Sequence, residues 1–407
     1  MGNPTAFPVV CKRGIPPFSL QDTRPQVNMR KEDRLIFLFS RLNPDKYEIS
    51  RIEELLKTRP DWDYILEKSW NEGVSCLVYY HLNNSEFKAY VPSQYLEQLR
   101  NYYHRNSARN MIISGETKKI LKIFNEENIK AIVLKGIFLA ENIYKNIAFR
   151  PIGDIDILVR KDDLSEVDKI LKSSGFLATT NHRDALSIAP PSPVNSLVYL
   201  KKTPGAVVHL HWHLINTTWP LDSLVNKIDM ERIWSCARAT RIGGIEALTL
   251  APEHLLIYLS QHSLTHSFDR LILLADILET LRHYKERLDY ELVVGEAERF
   301  NLSPVLFYSL SFASNLLNFE IPELERLKPA GFSLSDRIFS LFMRKGVRHY
   351  WLSYLIYLSM EKGFFSKLSF MGRTLFPSPY VMGHNFALPL SNINAFHYYR
   401  RIVRNFF

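Results

Sequence analysis

From Lys31 onward, apolar residues recur every three or four positions: Leu35, Leu38 and Phe39, then Ile52, Leu55 and Leu56, then Trp62, Ile65 and Leu66. That spacing gathers each set on one helix face and predicts a helical region over residues 29–125. Pro60-Asp61 supplies a start for the helix at Trp62. A longer helix is expected from about Pro92 to Phe124, with Gly115 as the one position able to interrupt it. Then the pattern changes. Residues 129–134 form a short apolar run of buried-strand length, and residues 154–159, DIDILV, alternate two acids with apolar residues, a strand with both carboxylates on one face. Between these strands Ile137, Ala140 and Tyr144 keep a helical spacing. Further on, Val167, Ile170 and Leu171 predict a helix that opens on a capping box of Asp163 and Glu166 and stops at Gly175. Phe176 begins a strand, the Pro190 to Pro193 cluster reads as a loop, and residues 196–201 and 206–214 flank Thr203-Pro204-Gly205 as a hairpin. Beyond Trp219 the text is helical again, with Thr249 as a cap before Pro252 and a stripe of Leu271, Leu274, Leu278 and Leu281. The whole reads as α+β: a small mixed sheet with helices over residues 126–218, between an N-terminal helical region and a C-terminal helical domain over 219–335.

Composition narrows the class. The 407 residues are 46% hydrophobic, which suits a protein with a real core and excludes general disorder. The three cysteines, Cys11, Cys76 and Cys236, have no metal-ligand spacing and point to a reducing compartment, the cytoplasm. The strongest apolar run, residues 350–360, is about half the ~20 residues a membrane span needs. Residues 1–28 carry prolines at 4, 8, 16, 17 and 25 and read as a flexible lead, with no apolar core of a secretory signal. A chain starting at Met29 is expected to be as stable as the whole. The net charge of +9 lies entirely in the tail: residues 337–407 hold ten Lys or Arg against Glu361, leaving 41 basic and 41 acidic residues before them. Aromatics are interleaved with these cations, so the tail over 336–407 is expected either to pack on the helical body or to lie on an anionic membrane surface, where each nearby cation adds about 1 kcal/mol.

The chemistry concentrates in residues 130–160. Asp154 and Asp156 converge on one point, and their repulsion is relieved by a cation between them; oxygen ligands of this kind suit Mg²⁺ carrying substrate phosphates. Upstream, Lys135-Gly136 follows the first strand at once. Glycine there permits close backbone approach, the following helical turn would aim N–H groups at an anion, and Lys135 is a phosphate contact or a surface lysine. Arg150 either neutralises a triphosphate or pairs with an aspartate, while Leu139 and Tyr144 fit a core. His209, His211 and His213 alternate onto one strand face, a spacing that could hold a transition metal. Glu253, His262, Arg270 and Asp276, set among the C-terminal stripes, read mostly as surface or capping groups.

Strand, Lys-Gly turn, helix and Asp-x-Asp strand follow one another as in polymerase-β-like nucleotidyltransferases. More closely, the chain resembles the uncharacterised bacterial nucleotidyltransferase family, through Leu134-Lys135-Gly136, Leu139, Tyr144, Arg150 and Asp154 to Val159, with Asp61-Trp62, Gly73-Val74 and His211-Trp212 outside the core. The resemblance covers roughly residues 33 to 290. It implies transfer of a nucleotidyl group from an NTP to an unknown hydroxyl acceptor (a small molecule, a protein or RNA). Asp154 and Asp156 would hold Mg²⁺ or Mn²⁺, Lys135, Gly136 and Arg150 would meet the nucleotide, and the C-terminal helices would lean over the site. Two departures stand out. Seventeen residues separate Gly136 from Asp154, more than the wider superfamily has, and the position of the usual third carboxylate is His209. His209 as a substitute ligand would favour a softer ion such as Mn²⁺. The same substitution also suits a degenerate nucleotide-binding protein, and the basic tail suits a nucleic-acid-binding or modifying one.

Overall fold

The structure is a computed structural model that describes residues 30–83, 86–179, 195–203, 205–216, 221–317, 321, 323–328, 350–386 and 390–406. The N-terminal lead, the Pro190 to Pro193 loop and residues 337–349 of the tail lie outside the described residues.

Helices α1 (Lys31–Phe39), α2 (Lys46–Lys57), α3 (Trp62–Asn71) and α4 (Ser75–Asn83) precede the 34-residue α5 (Ser93–Glu126). Their apolar stripes, Leu35, Phe39, Ile52, Leu56 and Ile65 among them, are buried in one continuous core that also takes in the sheet. Helix α3 starts where Asp61 predicts it, the carboxylate accepting from the Tyr64 N–H at 3.1 Å. It ends on Gly73, whose φ of +73° lets its N–H reach the Trp70 carbonyl at 3.0 Å and the Val74 N–H reach Ser69 at 2.9 Å. Gly115 does not break α5: a Cβ there would meet nothing within 4 Å, so the position merely faces open space.

Among the described residues seven strands form one mixed sheet: β1 (Ala131–Val133), β2 (Ile155–Val159), β3 (Leu177–Ala178), β4 (Ser196–Lys201), β5 (Ala206–His211), β6 (Arg238–Ile242) and β7 (Ile245–Thr249), in the order β3-β4-β5-β2-β1-β7-β6. The expected β4-β5 hairpin is present and antiparallel, and β5 runs parallel to β2 with Asp156 opposite His209. Helix α6 (Leu164–Ser173) buries Val167, Ile170 and Leu171 as the spacing predicts. Its expected capping box is absent, because residues 161–163 form a 3₁₀ turn and Glu166 pairs instead with Lys169 at 2.8 Å.

Residues 219–335 are not wholly helical. After α7 (Asp222–Val225) and α8 (Met230–Cys236), β6 and β7 form a hairpin around Gly243-Gly244, with φ of +55° and +86°. Strand β7 lies parallel to β1, so the sheet continues to Thr249. Thr249 therefore ends a strand rather than capping a helix. Helix α9 (Pro252–Thr265) starts from Ala251 with Pro252 at its first position. Helices α10 (Leu271–Tyr284), α11 (Tyr290–Arg299) and α12 (Ser303–Leu317) complete the C-terminal module. The tail adds α13 (Tyr350–Met360), α14 (Phe364–Leu375), α15 (Pro379–Phe386) and α16 (Ala395–Phe406). Helix α13 packs on the body, with Tyr357 buried and its hydroxyl 3.0 Å from that of Thr265. Among the described residues, no helix is long and apolar enough to cross a membrane.

Candidate functional site

Strand β1 leads straight into Lys135 and Gly136, and the backbone pairing with β2 extends one step further, the Leu134 N–H donating to the Asp156 carbonyl at 3.2 Å. Gly136 has φ +48°, and a Cβ there would lie 3.4 Å from the Asp154 carbonyl oxygen. The glycine thus lets the turn fold tightly against the backbone that presents the first aspartate. The segment after it is a five-residue π-helical turn, Leu139–Ile143, where the spacing predicts a longer helix. So short a turn aligns too few peptides to give the strong anion-directed dipole of a full helix. Leu139 and Tyr144 are buried, as a core reading requires.

The long gap before Asp154 is a loop held down by α5. Asn110 donates to the carbonyls of Ile147 at 2.6 Å and Arg150 at 2.8 Å, and its own oxygen accepts from the Ile152 N–H at 3.2 Å. Asn106 holds Ala148 at 2.8 Å, and Arg109 reaches the Gly153 carbonyl at 3.2 Å. Extra length therefore does not loosen the site. The buried Arg150 guanidinium grips Asp276 of α10 through Nε at 2.9 and 3.1 Å and Nη2 at 2.8 Å, and donates through Nη1 to the Pro151 carbonyl at 3.0 Å. Of its two expected roles the pairing with an aspartate is the one this geometry displays. Tyr144 adds its hydroxyl to the same Asp276 carboxylate at 3.0 Å.

Asp154, Asp156, Lys135 and His209 do come together. The Lys135 ammonium pairs with Asp156 and lies 3.9 Å from Asp154. His209 places Nδ1 3.8 Å from Asp156 and 4.0 Å from Asp154. His211, which the sequence sets on one strand face with His209, stands with Nε2 3.2 Å from Asp156 Oδ1, and the two imidazole centroids are 3.9 Å apart. Period-two alternation along β5 is what sets the two rings side by side. Strand β5 ends at His211, so His213 leaves the group, its Nδ1 accepting from the Ile215 N–H at 3.0 Å.

The two aspartates differ electrostatically. Burial alone would raise Asp156, but the Lys135 ammonium and the two histidines outweigh it and hold the carboxyl well below its ordinary range. Asp154, with its side chain 34% exposed, is pushed upward by burial and by the neighbouring Asp156 charge, against the pull of Lys135. Burial would lower Lys135 too, yet both carboxylates raise it and keep it charged. A cation on this face is therefore strongly favoured, and Lys135 now fills that place.

Helix α9 roofs the group. Tyr258, His262 and His266 recur at four-residue intervals, with ring centroids 6.2 and 4.6 Å apart along the series. His262 is held well below the usual imidazole range by burial, then by the Lys135 charge and His266, while Asp156 opposes. Tyr258 is raised by burial, with Lys135 and both aspartates within electrostatic reach. Two side chains of the C-terminal module thus stand within electrostatic reach of the cluster. Glu253, by contrast, caps a backbone: it accepts from the Asp289 N–H at 3.3 Å.

No curated protein matches the chain. The crystal structure of an antigenic nucleotidyltransferase-like protein from Paracoccidioides brasiliensis is similar over 48% of this chain and 91% of its own, at 15% identity and a TM-score of 0.27. The sequence matches the family described as uncharacterised nucleotidyltransferase over residues 58–318, which takes in α3, the whole sheet, the Lys135-Asp154-Asp156 cluster and its helical roof. The chain belongs to that nucleotidyltransferase family.

Proposed function

We propose that this chain moves a nucleotidyl group from an NTP to a hydroxyl acceptor, releasing pyrophosphate, at the cluster of Asp154, Asp156, His209 and Lys135. The observation that carries the reading is the convergence of two carboxylates from one strand face on a single cation, Lys135, beside two imidazoles.

The donor set fits a divalent ion. Asp156, His209 and His211 offer three ligand atoms within 4.8 Å of one another, and half-exposed Asp154 flanks them as a fourth. When bound, such an ion supplies positive charge to the attacking and leaving oxygens of the transferred phosphoryl group. Imidazole donors weaken the preference for Mg²⁺ and favour Mn²⁺. Asp156, fixed by His211 and ionised across the ordinary pH range, anchors the site. Lys135 and the positive-φ turn at Gly136 steady the phosphates. His209 takes the place of the acid that orients the acceptor hydroxyl.

A second reading, nucleotide binding without turnover, is favoured by His209 itself, since a neutral ring brings less charge than a carboxylate. Incubating the chain with each α-labelled NTP, with Mg²⁺ or Mn²⁺ and candidate acceptors of the three classes, separates the two. The enzyme reading expects pyrophosphate release and label transfer that Asp154→Asn and Asp156→Asn abolish. Saturable NTP binding with no pyrophosphate under any condition overturns it in favour of the second reading.

A further inference from the structure

Two tail helices expose apolar stripes where water would select polar residues. On α14, Phe364, Leu368 and Met371 are 75%, 54% and 48% exposed, with Phe365 beside them at 83%. At 100° per residue those first three positions fall within about 60° of one another, while the same helix buries Phe370 and Thr374 on its other side. On α16, Phe396, Tyr399 and Val403 form a second exposed stripe at i, i+3 and i+7. The helices are joined: Arg401 donates to the Thr374 carbonyl at 2.5 Å, Tyr398 donates to that of Pro377 at 3.0 Å, and the Phe376 and Tyr398 rings lie 6.4 Å apart. Between α13 and α14 runs an apolar cleft of about 390 Å³, whose wall includes Trp351, Leu355, Leu358, Met371 and Leu375, so that Met371 belongs to both cleft and stripe.

Charge narrows the choice of occupant. Lys362, Lys367 and Arg400 are exposed along these helices. From residue 350 to 406, Glu361 is the sole acid in the sequence, and its carboxylate is taken by the hydroxyls of Ser223, at 2.7 Å, and Ser366. A second copy of the chain docking on the same face would bring like charges together with no acid to pair them. A bilayer of anionic lipid accepts both features at once, since aromatic and aliphatic side chains enter the headgroup boundary while Lys and Arg meet lipid phosphates.

We propose that the face formed by Phe364, Phe365, Leu368 and Met371 of α14, with Phe396, Tyr399 and Val403 of α16, docks the protein on an anionic lipid bilayer, acyl carbons entering the adjoining cleft. This is peripheral attachment, independent of whether the nucleotidyl-transfer reading holds.

The full chain should be sedimented with vesicles of phosphatidylcholine alone and with added phosphatidylglycerol. Binding is expected to the anionic vesicles and to be retained in part at raised salt. Replacing Phe364, Phe365 and Leu368 together by serine is expected to weaken it roughly tenfold or more, because buried carbons carry the salt-resistant part. The circular-dichroism melting midpoint of that variant should match the parent, since none of the three is buried. A charge variant, Lys362→Glu with Lys367→Glu, is expected to lose the preference for anionic vesicles. The proposal is overturned if the parent stays in the supernatant with both vesicle types, if the serine variant binds as well as the parent, or if raised salt removes all binding, as for a charge-only contact. It is equally overturned if sedimentation velocity finds a dimer that the serine changes dissolve while vesicle binding is absent.

Discussion

Asp154 and Asp156 are two residues apart, yet their surroundings assign them different work. Asp156 is buried and neutralises Lys135 directly, whereas Asp154 is part exposed and carries the repulsion of the pair. Asp156→Asn should therefore cost stability as well as turnover, by about 3 kcal/mol, because it leaves the buried ammonium short of a partner. Asp154→Asn should abolish turnover with little stability cost, since it relieves like-charge repulsion. Urea unfolding of both variants checks this; equal destabilisation would mean that the buried pair is not Lys135 with Asp156. At His209 the expectation is a gain: His209→Asp adds a charged ligand and should tighten Mg²⁺ binding about tenfold, read by calorimetry, independent of any activity. No gain would remove position 209 from the ligand shell. The acids and the facing histidines were legible in the sequence because strand alternation alone puts 154 with 156 and 209 with 211 on shared faces. Arg150 was not, because its partner, Asp276, is 126 residues away and nothing local marks the pairing.

Among elements, those with strong periodicity were readable and those defined by short turns were not. The stripes of α3 and α6 matched their helices because each buries one face, and that of α10 because the helix is buried all round from Leu271 to Leu281. The β6-β7 hairpin was missed although Gly243-Gly244 is a hairpin signal, since β6 exposes four of its five residues in part or in full and lacks an apolar alternation. Likewise the π turn at Leu139–Ile143 keeps a helical spacing of apolar residues without forming a regular helix. Gly73 offers a test at this scale. Its positive φ closes α3, and an added Cβ would lie 3.1 Å from Ile272 Cγ2 at the start of α10, so both the turn and the approach of two helical regions depend on it. Gly73→Ala should lower stability by about 1–2 kcal/mol for the left-handed backbone alone. Thermal melting would show this as a downward shift; an unchanged midpoint would mean that the helix ends acceptably without the glycine.

Across the molecule, the helical parts do more than flank the sheet, because they grip the loop that carries the aspartates. From the N-terminal side, Asn106, Arg109 and Asn110 of α5 hold residues 148–153. From the C-terminal side, Asp276 of α10 takes Arg150 and Tyr144. The two helical parts also meet each other: Glu72 accepts from the Leu271 N–H at 2.6 Å, and Glu279 accepts from the Leu42 N–H at 3.2 Å. Burial raises Tyr144 well above its ordinary range and Asp276 reinforces it, so the phenol stays protonated and keeps donating. Asp276→Ala should therefore do disproportionate damage: it strands a buried guanidinium, a loss of about 3–5 kcal/mol, and frees the loop that positions Asp154. Replacing both partners, Arg150→Met with Asp276→Leu, removes the stranded charge and should recover most of that stability. Turnover should stay low in the double variant, because apolar packing restores the core without restoring the fixed path from residue 147 to Asp154. Guanidinium unfolding of Arg150→Met, of Asp276→Leu and of the double variant closes the cycle. If the single losses simply add in the double variant, Arg150 and Asp276 do not act as one latch, and the coupling of the helical module to the site must run through α9 instead.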